Sequence, residues 1–132
     1  MAVISYNMSD VPDKMPVIEA DTLVFKIVKA EIEEIPEDAE YNAGKSQLSI
    51  QMQVDQEGHK NHGWMQFDRF ILDDERDRVK FKSVIKSAGL LPGPSFDTDD
   101  LVDKRVKAEI KHRPGKGKNS GEIYANVGKY LY

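Results

Sequence analysis

The chain of 132 residues contains no cysteine. That excludes disulfides, thiolate zinc sites and a cysteine nucleophile at once. Long apolar runs are missing too: none approaches the roughly 20 residues a helix needs to span a bilayer. The opening residues, MAVISYNMSDVPDK, have neither the basic start nor the apolar stretch of a signal peptide. A cytoplasmic protein without a membrane partner is therefore expected. No nucleophile elbow, phosphate loop or paired-carboxylate motif organises the serines, histidines and acids. A non-enzymatic protein follows, with no catalytic residue and no cofactor. His59 and His62, in the turn QEGHKNHG, have no cysteine or fixed carboxylate to complete the three or four ligands that zinc takes. No metal is expected. The chain has no internal repeat and no low-complexity segment, and its length fits one domain.

What is abundant is charge, at 32% of residues with a formal net charge of −4. It is unevenly placed. From Lys104 to Tyr132, eight Lys and Arg stand against two Glu, a local charge of +6, which leaves −10 on residues 1–103. An acidic chain that gathers its cations in one stretch has the footprint of a polyanion binder. The plainer reading is a β-hairpin whose charged edge blocks aggregation. Charge alone does not separate the two.

Patterning supplies the frame. Residues 1–16 are polar, carry Pro12 and Pro16, and read as a flexible lead-in, with the folded domain over 17–132. Residues 17–22 are candidates to extend the first strand. Thr22–Glu34, TLVFKIVKAEIEE, places Leu23, Phe25 and Ile27 on one face, then switches phase to Ala30 and Ile32. Such a switch points to a bulge, or to a strand shared by two halves of a curled sheet. Residues 36–45 form an acidic loop holding Tyr41 and Lys45. Residues 46–54, SQLSIQMQV, alternate without a break: Leu48, Ile50, Met52 and Val54 inward, amides outward. Residues 64–72, WMQFDRFIL, divide into one face of Met65, Phe67 and Ile71, interrupted by Arg69, and another of Trp64, Gln66, Asp68 and Phe70.

Asp73 and Asp74 then cap a helix to about Ala88, with Phe81, Val84, Ile85 and Ala88 as its apolar stripe and Gly89 as its stop. Its charges run from acid to base and match the helix dipole. Thr98 is placed to cap a short turn. A fourth strand, Arg105 to Lys111, turns Val106, Ala108 and Ile110 inward. A fifth, Glu122 to Val127, turns Ile123, Ala125 and Val127 inward and Tyr124 onto the basic face. The glycine-rich loop RPGKGKNSG joins them.

The order β-β-β-α-β-β with a bulged first strand is that of the OB-fold, a mainly β, five-stranded Greek-key barrel with one helix between strands three and four. It binds oligonucleotides or oligosaccharides on strands two and three and on the one–two and four–five loops. On that frame Trp64, Phe70 and Tyr124 are the stacking rings, with Gln66 an amide between the first two. Lys107, Lys111, Arg113, Lys116 and Lys118 are the phosphate contacts. Tyr41 and Lys45 are further contacts from the one–two loop.

The runs DRFILDDERDRVKFKSVIKSAGL and FDTDDLVDKRVKAEIKHRPGKGKNSGEIYANVGKYLY resemble a family of short phage and prophage OB-fold proteins, long classed as a domain of unknown function. The likeness spans about Leu23 to the C-terminus. It centres on L-x-x-K-R-x-x-A-x-I at strand four, the basic glycine loop and Y-x-N. It implies single-stranded DNA binding in phage replication or recombination, in the host cytoplasm, with replication or recombination proteins as partners; whether the chain forms a homo-oligomer is left open by the sequence. Two alternatives stand beside it: an RNA-binding OB-fold, and an adaptor whose basic hairpin docks an acidic protein.

Overall fold

In the computed structural model, residues 2–3, 5–11, 16–119 and 121–132 are described. The lead-in assigned to residues 1–16 falls partly outside them; within it, Met8–Asp10 form a 3-10 turn capped by Asn7. The fold is mainly β. Five antiparallel strands form one sheet in the order β3-β2-β1-β4-β5. They are β1 (Thr22–Glu34), β2 (Ser46–Val54), β3 (Met65–Ile71), β4 (Arg105–Pro114) and β5 (Ile123–Leu131). Among the described residues one α-helix, α1 (Glu75–Ser87), lies between β3 and β4. None of their helices is long and apolar enough to cross a membrane.

The phase switch in β1 is a bulge. Ile27 pairs with Met52 but Lys29 with Gln51, so Val28 is the extra residue. Leu23, Phe25 and Ile27 enter the core before it, and Ala30 turns toward the core after it. The strand also serves two neighbours: Thr22–Lys26 pair with β4 and Phe25–Glu34 with β2. A bulge adds twist, which lets one long strand turn between two halves of a curled sheet. Residues 17–21 do not extend β1. They are tied down as irregular chain: Ile18 is buried, its carbonyl accepts from His112 Nε2 at 2.7 Å, and Glu19 N donates to Asn61 Oδ1 at 2.9 Å.

The core joins Leu23, Phe25 and Ile27 to Leu48, Ile50, Met52 and Val54, then to Val106, Ala108 and Ile110. The helix covers it with Val84 and Ile85. Phe81 meets Phe70 edge-on at 5.4 Å and Phe96 at 6.0 Å. Asp74 is the N-cap, accepting from Arg76 N at 2.8 Å, and Asp77 accepts from Ile71 N at 2.6 Å, pinning the first turn to the end of β3. Gly89 follows at φ +78, a left-handed conformation that only glycine adopts without strain. The turn at Thr98–Leu101 is capped by Asp97 rather than Thr98, and it buries Leu101.

The fifth strand departs from its expected pattern. Ile123 is exposed, Ala125 is half-buried, and Tyr130 enters the core beside Val127. Ile110 pairs with Val127 but Glu109 with Lys129, so Gly128 is a bulge residue. It breaks the alternation at GKYL, which is why the strand reads too short in sequence. β4 likewise continues three residues beyond Lys111, to Pro114.

Candidate nucleic-acid interface

β3 faces the opposite way from the expected platform. Phe70 has no exposed surface and packs in the core, so its ring cannot stack a ligand. Gln66 is also buried; its amide donates to Ala125 O and Phe67 O, both at 3.2 Å. Phe67, 51% exposed, and Met65, 37%, stand outward with Arg69. Arg69 was the signal in the sequence, because a cation rarely shares a face with the core unless it is paired. The polar residues of the inward face are instead satisfied by partners distant in sequence. Asp68 accepts from Tyr130 Oη at 2.7 Å and pairs with Lys80 at 3.3 Å, while Lys80 also donates to Val127 O at 2.8 Å. Burial raises the Asp68 carboxyl above its usual range, with Lys80 and Tyr130 opposing. Burial, then the Asp68 charge, lifts the Tyr130 phenol well above 10.0.

The outward face of β3 carries ordered rows across β2 and β1. Met65 stands beside Gln53 and Lys26, Phe67 beside Gln51 and Lys29, and Arg69 beside Ser49 and Glu31. Gln51 thus lies between the Phe67 ring at the sheet edge and Lys29 on β1.

Trp64, Arg113 and Tyr124 do come together. They line a groove of about 330 Å³ with Gln66, Asn126 and the segment Pro16–Ile18. Arg113 and Tyr124 are cross-strand partners, and the guanidinium carbon lies 5.8 Å from the ring centroid. The Tyr124 hydroxyl donates to Glu122 Oε2 at 2.8 Å. Trp64 is half-buried, one side against the core and the other on the groove. The groove therefore offers two rings, a guanidinium and amides at one end of β3.

The remaining basic residues are spread along the hairpin. Lys111 pairs with Glu109 at 3.4 Å. Lys107 lies further along β4, where its backbone N–H donates to Ser87 Oγ at 2.9 Å. Lys116 and Lys118 are exposed in the β4–β5 loop, which Gly115 N closes on Glu122 O at 2.8 Å. Tyr41, 74% exposed, and Lys45 belong to the β1–β2 loop at the other end of β3, where Leu72 N meets Ser46 O at 3.3 Å. That end is acidic: Glu31, Glu33, Glu34, Glu37, Asp38 and Glu40 are all exposed there. Tyr41 and Lys45 thus do not join the Trp64 cluster. The two histidines brace their own turn: His62 Nδ1 accepts from Gln56 N and His59 Nδ1 from Asn61 N, each at 3.1 Å, and His59 Nε2 lies 3.6 Å from Asp21 and 3.9 Å from Glu19. Comparison with protein-family models and with curated proteins finds no match to this chain.

Proposed function

We propose that this chain is a five-stranded OB-fold that binds single-stranded DNA without catalysis and with little sequence preference, acting in phage DNA replication or recombination in the host cytoplasm. The observation that carries the reading is the groove in which Trp64, just before β3, converges with Arg113 of β4 and Tyr124 of β5. Rings beside a guanidinium are the means by which proteins hold unpaired bases and their phosphates, since every base has a π-face. Phe67, on the adjoining outer face, extends the stacking surface. Two bonds between the edge strands support closure into a barrel: Gln66 Nε2 to Ala125 O at 3.2 Å and Tyr130 Oη to Asp68 at 2.7 Å. The segregation of +6 onto residues 104–132 supplies the field that draws a polyanion.

Trp64 is the only tryptophan, so its fluorescence reports the groove directly. Titration with single-stranded DNA should quench it, with an affinity that falls as salt rises. Duplex DNA of the same sequence should bind more weakly, because its bases are already stacked. Competition with RNA of that sequence sets the DNA or RNA preference. No salt-dependent change with any nucleic acid would overturn the reading and leave the basic hairpin for an acidic protein partner.

A further inference from the structure

The basic residues of the hairpin do not stop at the groove. Lys111 stands opposite Asn126, one outward step from Arg113 and Tyr124. Its aliphatic chain lies flat over Gly128: a Cβ built on that glycine would come to 3.0 Å from Lys111 Cδ. Past this bulge, α1 and the end of β5 enclose a second groove of about 650 Å³. Arg76, Lys82, Lys86, Lys129 and Tyr132 line it. Lys80 lines it too but is held by Asp68 and Val127 O, and Lys129 pairs with Glu109 at 3.8 Å. Among the described residues no Asp or Glu side chain lines this groove, and no ion pair with one holds Arg76, Lys82 or Lys86. Lys86 Nζ lies 4.9 Å from the centroid of the Tyr132 ring, which is 79% exposed.

The acid-to-base order of α1 accounts for Lys86 but not for Arg76 or Lys82. A helix dipole favours cations only in the last turn, and of the three only Lys86 lies there. Arg76 sits in the first turn, where a cation is unfavourable. Arg76 and Lys80, Arg78 and Lys82, and Lys82 and Lys86 are like charges four residues apart, an arrangement that destabilises a helix. The electrostatics also give a direction. A polyanion leaving the Trp64 groove is repelled by the acidic β1–β2 hairpin and drawn along β5, whose nine residues span about 30 Å.

We infer that the α1–β5 groove is a second contact for the same single strand. Arg76, Lys82 and Lys86 take phosphates, Tyr132 stacks a base, and Lys111 and Lys129 guide the backbone between the two grooves. This rests on the single-strand reading above.

The test uses the full chain, the variant Arg76→Gln/Lys82→Gln/Lys86→Gln, the separate variant Tyr132→Ala, and oligothymidylates of about 5 and about 16 nucleotides, the range of OB-fold site sizes. The short oligomer fills only the Trp64 groove. The triple variant should bind it as the wild type does, and should bind the long oligomer about tenfold or more weakly. Its salt slope on the long oligomer should fall by about 2, near 0.7 for each of three lost contacts. Tyr132→Ala should weaken the long oligomer about fivefold or more with the slope kept. Melting curves check that both variants fold. Equal losses on short and long oligomers, or none on either while the wild type binds, would overturn the second contact and leave the first. A wild type that binds neither oligomer would overturn the single-strand reading itself. An unchanged slope with altered sedimentation at low salt would overturn the inference by assigning the groove to the acidic hairpin of a second copy.

Discussion

Replacing Phe67 and Phe70 by alanine, one at a time, reads out which side of β3 faces the ligand. Three residues apart on one strand, they point to opposite faces. Phe70 has no exposed surface and meets Phe81 edge-on at 5.4 Å. Removing it takes a ring from the centre of the core, at a cost of about 3–5 kcal/mol for a buried Phe→Ala change. At about 3–5 °C of melting temperature per kcal/mol for a domain of this size, the midpoint should fall by about 10–25 °C. Phe67 is 51% exposed and has Gln51 as its cross-strand neighbour. Its removal should cost no more than about 1 kcal/mol of stability. In binding the order reverses. If Phe67 stacks a base, its loss should cost about 1–3 kcal/mol of affinity, about 5- to 150-fold. Phe70→Ala should bind normally at a temperature where it remains folded. Thermal denaturation by circular dichroism and fluorescence titration of Trp64 with single-stranded DNA measure the two quantities on the same samples. A Phe67→Ala protein as unstable as Phe70→Ala would refute the assignment of faces. A stable Phe67→Ala protein with full affinity would refute the outer face as a platform.

Changing Lys116 and Lys118 together to alanine should leave stability within about 0.5 kcal/mol, because both are exposed in the β4–β5 loop. It should weaken single-strand binding similarly for all sequences and flatten the salt slope by about 0.7 per lost contact. Lost affinity at an unchanged slope would mean that the loop contacts bases. Tyr130→Phe should alter the alkaline limb of stability. Burial raises the folded phenol's pKa above its ordinary 10.0. The stability this contributes is complete below pH 10 and is lost as pH rises beyond it, when the unfolded chain's phenol ionises first. Urea denaturation should therefore show a smaller loss above pH 10 for Tyr130→Phe than for the wild type, alongside about 1 kcal/mol lost at neutral pH with the Asp68 hydrogen bond. Parallel alkaline limbs for the two proteins would refute the burial of a neutral phenol. Gly89→Ala should cost about 1–2 kcal/mol, the penalty of a side chain at φ +78, although open space surrounds the site; a neutral result by denaturation would mean that the helix end relaxes.

Local chemistry was enough to place most of the elements. The unbroken alternation of SQLSIQMQV marks β2, the phase switch in TLVFKIVKAEIEE marks the bulge at Val28, and Asp74 with Gly89 bounds the helix. Each of these signals lies within a few residues of what it specifies, so the sequence alone carries it. The concentration of cations in residues 104–132 is legible for the same reason. Which face of β3 is inside was not a local matter. Its two faces are nearly balanced in apolar content, and the balance is broken by partners distant in sequence: Tyr130 and Lys80 on Asp68, and Ala125 O on Gln66. Tyr130 reaches Asp68 only because Gly128 bulges and shifts the phase of β5. The same bulge gives Lys111 its path over the glycine toward the α1–β5 groove, whose cations come from segments some fifty residues apart in the chain. Patterning records each strand's preference for burial, but packing decides the face when two preferences are close, because a buried polar group is stable only where the fold brings it a partner.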